Sequence, residues 1–299
     1  MKKVLVIAGP TASGKTSFSI ELAKRLDTEI ISGDSIQVYK GFDIGSGKVT
    51  EEEKEGVPHH LIDILEPGTQ YSVADFQKEA RSLIDNSNKP MIIAGGTGLY
   101  LKACLYDYVF DTEEACLRNE IYDKYTNHEL YEMLVERDPL QATKIHENNR
   151  QRVIRSLTVL DNTGKRQSEI IDEQEHKPVY DFFIAACTME REELYARINL
   201  RVKNMIEKGL EQEVKGLLDK GITFNNPAMK GIGYREWNDY FNGELTMEEV
   251  EALIARNSRR YAKRQYTWLN HQMPVHYFDP RDKKERNTML DEMVKFVNG

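Results

Sequence analysis

The sequence has 299 residues, of which 40% are hydrophobic and 30% are charged, and its formal net charge is −8 from 41 Lys and Arg against 49 Asp and Glu. This length allows one large domain with an insertion or two smaller domains. Taken over the whole chain, the acidic balance argues against a nucleic-acid binder, but it does not say where individual charges lie.

Cysteine spacing and hydropathy exclude further classes of protein. Cys104, Cys116 and Cys187 lie far apart without CxxC spacing, which excludes a disulfide framework and a zinc site and favours buried thiols in a reducing cytosol. No apolar run reaches the roughly 18 residues that a membrane span needs. The apolar residues 4–8 are too few for a signal peptide. We therefore expect a soluble, cytoplasmic monomer without a membrane partner.

Short apolar, β-rich runs alternate with helical periodicity in the first third of the sequence. In chain order, the predicted elements are a strand at residues 4–8, a helix at 15–26, a strand at 29–32, a helix opened by a capping box at 72–75 and running to about 84, and a strand at 91–94. This alternation is typical of a parallel sheet that helices cover on both faces.

After residue 109 the pattern changes to helical periodicity with many charges, and no good strand is found before residue 177. The sheet pattern then returns, with a strand predicted at 181–186, helices at 190–208, 210–219 and 246–270, a strand at 275–278 and a helix from about 283. We therefore predict a core formed by residues 1–111 and 178–299, interrupted by an all-helical insertion at residues 112–177.

A phosphate-binding loop follows the first strand. It matches G-x-x-x-x-G-K-[ST] in full, and its residues are Gly9, Pro10, Thr11, Ala12, Ser13, Gly14, Lys15 and Thr16. Its backbone N–H groups can point at phosphate oxygens at the positive end of a helix dipole. Lys15 adds a charge, and the Thr16 hydroxyl can bind a Mg²⁺ that the phosphates share. The sequence therefore predicts a P-loop NTPase-like α/β fold that binds a di- or triphosphate.

The loop fixes a ligand and leaves the reaction open. A kinase or ATPase usually has a Mg²⁺-binding acid after a later strand. The strand at 91–94 is followed instead by Gly95, Gly96, Thr97 and Gly98, which weakens that interpretation. Asp34 is the carboxylate placed after the second strand, at the ligand-binding edge of the sheet. It is equally well explained as a turn or cap residue.

Two basic islands stand out on this acidic chain. The first island, residues 144–166, contains Lys144, Arg150, Arg152, Arg155, Lys165 and Arg166. The second island, residues 255–271, contains no acidic residue, and its cations are Arg256, Arg259, Arg260, Lys263 and Arg264. The five cations of the second island fall within roughly 140° of a helix surface. Interleaved aromatic residues favour contact with phosphates and bases there. A solvated helix face is the competing interpretation, and for the first island it is the simpler one.

Motifs along nearly the whole chain resemble tRNA dimethylallyltransferases of the bacterial type. They are Gly9-Pro-Thr-Ala-Ser-Gly-Lys-Thr16, Asp34-Ser-Ile-Gln-Val-Tyr39, Asp43-Ile-Gly45, Pro58-His-His-Leu-Ile-Asp63, Tyr71-Ser-Val-Ala-Asp-Phe76, Gly95-Gly-Thr-Gly-Leu-Tyr100, Gln151-Arg-Val-Ile-Arg155, Gly231-Ile-Gly-Tyr-Arg235 and Ala262-Lys-Arg-Gln-Tyr-Thr-Trp268. The resemblance implies transfer of a dimethylallyl group from dimethylallyl diphosphate to adenosine 37 of tRNAs that read codons beginning with U. It also implies that the insertion grips the anticodon stem-loop.

The resemblance further implies roles for individual residues. Asp34 takes a proton from the adenine amine, which is a poor nucleophile. Lys15, Thr16, Mg²⁺ and the loop amides stabilise the leaving diphosphate, and Arg197 reaches it, with Arg201 one turn further on. The implied tRNA contacts are Asp34, Ser35, Ile36, Gln37, Thr97, Arg118, Gln151, Arg152, Val153, Ile154, Arg155, Arg235, Arg256, Arg260 and Arg264.

Three alternatives remain. Prenylation of free adenine nucleotides on the same fold would need neither basic islands nor a long insertion. A small-molecule or nucleoside kinase would require a Mg²⁺-binding acid. A GTPase-like switch is the third and has no specific support.

Overall fold

The computed structural model describes residues 1–110, 120–174 and 176–299, so Cys116 and Arg118 lie outside the described residues. The chain forms two compact units. Residues 1–105 and 179–299 form the first, called here the sheet unit, and residues 106–178 form the second, called the helical unit. The predicted insertion at 112–177 falls within the bounds of the helical unit.

The sheet unit contains a six-stranded sheet in the order β3-β2-β4-β1-β5-β6, in which all the pairings are parallel. The strands are β1 (Lys3–Ala8), β2 (Ile30–Ser32), β3 (His59–His60), β4 (Met91–Ala94), β5 (Asp181–Cys187) and β6 (His276–Phe278). The predicted P-loop NTPase-like α/β fold is confirmed. Since β1 pairs with β4 on one side and with β5 on the other, the loop that follows it lies in the middle of the carboxyl edge.

Helices cover this sheet. In chain order they are α1 (Lys15–Leu26), α2 (Glu51–Lys54), α3 (Val73–Asn86), α4 (Gly98–Leu105), α9 (Arg191–Glu207), α10 (Leu210–Asp219), α11 (Trp237–Phe241), α12 (Met247–Gln272) and α13 (Lys283–Asn298), with α5 to α8 in the helical unit and a 3₁₀ turn at Ala228–Lys230. The capping box predicted at Ser72 and Asp75 opens α3, and Thr246 with Glu249 opens α12 in the same way. Each box satisfies backbone N–H groups that the first helical turn leaves without partners.

The core of the sheet unit includes a layer between the sheet and two helices. Phe18 of α1 lies with its ring centroid 4.5 Å from that of Phe278, and both side chains are buried. Leu290 and Met293 of α13 pack into the same cluster. Burial of these apolar side chains holds α1, and with it the loop before α1, in a fixed position.

The described part of the helical unit contains a 3₁₀ turn and helices. The helices are α5 (Asn127–Arg137), α6 (Pro139–Ala142), α7 (Arg150–Thr163) and α8 (Gln167–Asp172), and the turn is Glu120–Lys124. Leu130, Leu134 and Leu157 form its apolar centre. Asp138 is buried and accepts hydrogen bonds from the Gln141 amide at 3.1 Å and from the Ser168 amide at 3.0 Å, which fixes the starts of two helices. The unit therefore has a core of its own.

Along the part of the chain that the structure describes, no helix has both the length and the apolar character needed to cross a membrane.

Candidate functional site

The phosphate loop, residues 9–16, joins the end of β1 to the start of α1. Gly9 has a φ of +134°, and a Cβ there would lie 2.8 Å from a backbone carbonyl oxygen of β5, so a side chain does not fit. The Ser13 hydroxyl donates to the Pro10 carbonyl oxygen at 2.8 Å. Gly14 precedes α1 without a side-chain cap, and the first helical turn carries no acidic residue. The amides at this helix start are therefore available to an anion.

A cavity of about 730 Å³ opens at this loop. Such a position, at the carboxyl edge of parallel strands, is where ligands bind in open α/β sheets. Of the residues singled out from the sequence, its lining includes residues 11–16, Asp34, Ser35, Ile36, Gln37, Thr97, Arg197, Arg235 and Arg264. Arg256 and Arg260 do not line it. The structure thus brings the loop, the carboxylate and the arginine predicted for the diphosphate together around one space.

Lys15 is held inside this cavity. Its ammonium group donates to the Pro10 carbonyl oxygen at 2.6 Å. Burial lowers the pKa of Lys15 to about 8, while the neighbouring Cys187 and Asp34 raise it and the Arg201 guanidinium lowers it. A bound anion would favour the charged form of the amine and offset the cost of its burial. The electrostatics of the cavity therefore favour a negatively charged ligand beside Lys15.

Two arginines of α9 line the cavity one helical turn apart. Arg197 is exposed, and its Nε donates to the Ala12 carbonyl oxygen of the phosphate loop at 2.9 Å. Arg201 is partly buried, and burial lowers its pKa. Its guanidinium packs against Gly47, where a Cβ would lie 1.5 Å from Nη2. The sequence favoured Arg197, which contacts the loop directly, whereas Arg201 lines the same cavity beside Gly47.

Asp34 follows β2 and has a structural contact of its own. Its Oδ1 accepts hydrogen bonds from the Ile36 amide at 2.8 Å and from the Gln37 amide at 3.3 Å. The turn interpretation is therefore correct for this oxygen. Within residues 1–110, 120–174 and 176–299, no hydrogen bond to Oδ2 is found. One carboxylate can therefore both form the turn and present an oxygen for proton transfer, since the two oxygens are separate acceptors.

The glycine-rich segment after β4 runs along one face of α12. The Gln265 side-chain amide donates to the Gly96 carbonyl oxygen at 2.8 Å, and the Trp268 ring occupies the space in front of Gly98. Tyr261 and Arg264 of the same helix line the cavity, with the guanidinium carbon 5.5 Å from the ring centroid. Gln265 lies in the motif at residues 262–268, but the sequence assigned it no role. The available signal was the glycines at 96 and 98, because they leave room for the Gln265 and Trp268 side chains to approach the backbone closely.

The other arginines of α12 differ in their surroundings. Arg256 and Arg260 are exposed. Arg259 instead donates to the Asn199 side chain and lies 6.0 Å from the centroid of the Tyr195 ring, so it links α12 to α9. The second basic island therefore contains both exposed cations and a structural one.

In the helical unit, Gln151, Arg152 and Arg155 are exposed on α7. Val153 is fully buried in the apolar core, and Ile154 packs partly against it. The Val153 side chain is therefore not exposed for a contact with tRNA. The side chain instead holds α7 in the core, because the helical period turns this position inward between exposed neighbours.

Three of the four remaining cations of the first island have protein partners. Arg150 donates to the Tyr125 carbonyl oxygen at 2.7 Å and to the Tyr122 carbonyl oxygen at 3.0 Å. Lys165 and Arg166 form ion pairs with glutamates near α8. These three cations are therefore engaged within the protein.

Metal ligands are few around the cavity. Among the described residues, no group of three or more His, Cys, Asp and Glu side chains could hold a metal ion. His59 contacts the Val57 carbonyl oxygen at 2.9 Å, and His60 contacts the Glu29 carboxylate at 2.6 Å. Thr16 is exposed and lines the cavity. Mg²⁺ keeps several waters and is often held by few protein ligands plus substrate phosphates, so the Thr16 hydroxyl fits such an ion.

Comparison with known proteins gives one consistent result. The family model "IPP transferase" matches residues 37–272. A tRNA dimethylallyltransferase of Anoxybacillus flavithermus is 49% identical over 302 residues, with 100% of this chain and 97% of that protein covered. Its counterpart from Geobacillus thermodenitrificans is 45% identical over 306 residues, with the same coverage of each chain.

Solved structures give the same result. The full-length tRNA isopentenylpyrophosphate transferase of Bacillus halodurans is 40% identical and has a TM-score of 0.74. The match covers 100% of this chain and 97% of the other. A eukaryotic dimethylallyltransferase acting on tRNA is 30% identical with a TM-score of 0.84, over 98% of this chain and 78% of the other.

Proposed function

The chain belongs to the tRNA dimethylallyltransferase family, and we propose that it transfers a dimethylallyl group from dimethylallyl diphosphate to the N6 amine of adenosine 37. The acceptors are tRNAs that read codons beginning with U, and the products are N6-dimethylallyladenosine and diphosphate. The observation that carries this proposal is the cavity of about 730 Å³, because its lining combines the phosphate loop, Asp34 and the guanidinium groups of Arg197 and Arg201.

The phosphate loop holds the donor substrate. Its amides and the Lys15 ammonium bind the diphosphate, and Arg197 and Arg201 lie beside it. As the allylic C–O bond breaks, the diphosphate takes the electron pair, and these fixed positive groups stabilise the charge that develops. A Mg²⁺ bound at the Thr16 hydroxyl would supply further positive charge to the same phosphates.

Asp34 serves the acceptor substrate. The lone pair of the adenine amine is delocalised into the ring, so the amine needs a base as its nitrogen bonds to the allylic carbon. Oδ2 of Asp34 takes the proton, while Oδ1 keeps its bonds to the turn amides. The carboxylate is therefore held in place before the substrates arrive, which lowers the cost of reaching the reactive geometry.

The tRNA is held by exposed basic residues. Arg256 and Arg260 of α12 and Arg152 of α7 present charges to solvent, and such charges bind phosphates by releasing counterions. Adenosine 37 lies in a single-stranded loop, where flipping a base out costs least. Since its substrate is tRNA, we expect the protein to act in the cytoplasm, and as a monomer.

A product assay tests this function. The protein is incubated with dimethylallyl diphosphate, Mg²⁺ and unmodified tRNA. The RNA is then digested to nucleosides, and their masses are measured by mass spectrometry. We expect dimethylallyladenosine from this tRNA and none from a matched tRNA with guanosine at position 37. Modification of free AMP at an equal rate would favour the adenine-nucleotide alternative, and ATP turnover without modification would favour a kinase.

A further inference from the structure

Two of the sequence motifs have no part in the chemistry above. They are Asp43-Ile-Gly45 and Gly231-Ile-Gly-Tyr-Arg235. In the structure these segments meet at the side chain of Glu213 on α10. We call Glu213 and Tyr234 together the carboxylate clamp.

Glu213 accepts hydrogen bonds from three successive backbone amides. Its Oε2 accepts from the Asp43 amide at 3.0 Å and the Ile44 amide at 2.7 Å, and its Oε1 accepts from the Gly45 amide at 3.0 Å. Hydrogen bonds to an ionised acceptor are stronger than those between neutral groups. One side chain therefore fixes the backbone of a whole turn.

Tyr234 completes the arrangement. Its hydroxyl donates to Glu213 Oε1 at 2.8 Å and accepts from the Ser46 amide at 3.1 Å. Its side chain is fully buried, and a Cβ at Gly45 would lie 2.5 Å from the Tyr234 ring. Burial and the Glu213 carboxylate raise the pKa of Tyr234 well above its usual value, so the hydroxyl keeps its proton.

The clamped segment is a wall of the cavity. Gly45, Ser46 and Gly47 line the cavity, whereas the side chains of the clamp do not. The Arg201 guanidinium packs directly on Gly47, since a Cβ on Gly47 would overlap it. The charge of Arg201 in turn acts on Lys15. A chain of contacts therefore runs from Glu213 through the segment 43–47 to the cations that face the phosphate loop.

We propose that Glu213 is a positioning residue for the donor diphosphate: with Tyr234 it holds the segment 43–47 so that the Arg201 guanidinium lies opposite Lys15. This inference rests on the proposed function for the identity of the anion. Glu213 does not touch the substrate. It acts on affinity through the position of Arg201.

Glu213→Gln tests this with little change of size. An amide nitrogen cannot accept a hydrogen bond from a backbone N–H, so at least one of the three backbone bonds is lost. We expect the Kd of dimethylallyl diphosphate, measured by titration calorimetry, to rise about tenfold. Tyr234→Phe should act in the same direction by a few-fold. The Kd for tRNA should change by less than about twofold, because the exposed arginines Arg152, Arg256 and Arg260 do not line this cavity.

Glu211→Gln is the matched control. Glu211 lies on the same helix and accepts from the Tyr240 hydroxyl at 2.9 Å, but it does not line the cavity or contact the clamped segment. We expect its donor affinity to equal that of the unmodified protein. If Glu211→Gln weakened donor binding as much as Glu213→Gln, the effect would come from general destabilisation of α10, and the inference would be wrong.

A second measurement separates positioning from folding stability. In an Arg201→Lys background, Glu213→Gln should weaken donor binding by less than about twofold, since both changes act through the same guanidinium. If Glu213→Gln raised the donor Kd by the same factor in the Arg201→Lys background as in the unmodified protein, the inference would be overturned. A lower melting temperature of the Glu213→Gln variant with an unchanged donor Kd would also overturn it. If the unmodified protein itself failed to bind dimethylallyl diphosphate, the proposed function would fail instead, which is a distinct outcome.

Discussion

The cations of the cavity and those of the exposed helix face are held in different ways. Lys15 and Arg197 donate to carbonyl oxygens of the phosphate loop, and Arg201 packs on a glycine. Arg256 and Arg260 of α12 are exposed to solvent. Groups of the first kind have a defined position before a ligand arrives, whereas groups of the second kind keep their side-chain freedom.

This difference separates two contributions of positive charge. A fixed, partly desolvated cation stabilises charge that develops at one place, because little reorganisation is needed when the bond breaks. A solvated cation contributes to affinity through counterion release, and salt weakens that contribution. We therefore expect changes in the cavity to alter chemistry and donor affinity, and changes on the exposed face to alter only tRNA affinity.

The largest effect is expected at Asp34. Asp34→Asn keeps a side-chain oxygen for the turn amides and removes the base, so the single-turnover rate should fall by roughly 10²-fold or more. Rapid-quench measurement with bound tRNA and donor gives this rate directly. The affinity for tRNA should stay near that of the unmodified protein. A rate within a few-fold of normal would mean that Asp34 is a turn residue and that another group takes the proton.

Lys15→Ala should have the next largest effect. Loss of the ammonium removes a charge-assisted interaction with the diphosphate, and we expect donor affinity to fall about 10- to 100-fold. Titration with dimethylallyl diphosphate measures this, and tRNA affinity serves as the control. An equal loss of tRNA affinity would show that the loop holds an RNA phosphate, and the assignment of the donor site would then be wrong.

The fold could be predicted from the sequence because its signals are local. The helix at residues 15–26 was predicted with the bounds that the structure gives, since a glycine loop precedes it and apolar residues recur at helical spacing. The helix predicted at 246–270 was likewise found, and a capping box of Thr246 and Glu249 opens it. The short strand β3 at His59–His60 has too few residues for a period and depends on pairing with β2.

The site was predictable only where a motif carries its own chemistry. The phosphate loop and Asp34 were found because each follows a strand. Glu213 could not be found, because its role depends on contacts with segments about 170 residues earlier and 21 residues later. The burial of the Val153 side chain could not be predicted either, since the motif that contains it alternates between exposed and buried positions and only packing tells them apart.

Binding of the donor should depend on pH through Lys15. Its pKa of about 8 is below the usual value, so the free protein loses this charge above pH 8. The diphosphate binds the charged form and raises the pKa, and affinity should therefore be steady below pH 8 and fall by up to about tenfold per pH unit above it. Calorimetry between pH 7 and about pH 9.5 checks this. Lys15→Ala is the control and should remove the dependence; a similar decline in that variant would place the titrating group elsewhere.

The smallest effects are expected on the exposed faces, and they appear in the salt dependence of tRNA binding. Arg152→Gln on α7 and the pair Arg256→Gln with Arg260→Gln on α12 should each flatten the slope of log affinity against log salt. The expected change is roughly 0.7 to 0.9 for each RNA phosphate that the protein no longer neutralises. Filter binding of an anticodon stem-loop over a series of salt concentrations measures it. Donor affinity should remain unchanged in all of these variants.

Each island offers a matched control, because each also contains an arginine with protein partners. Arg150→Gln removes bonds to three backbone carbonyl oxygens of the helical unit, and Arg259→Gln removes the link between α12 and α9. These variants should lower the melting temperature and leave the salt slope unchanged, since the charges are engaged within the protein. If the slope were the same for exposed and engaged arginines alike, neither face would bind the tRNA backbone. With a net charge of −8, RNA binding would then have little electrostatic support, and the substrate assignment itself would be in question.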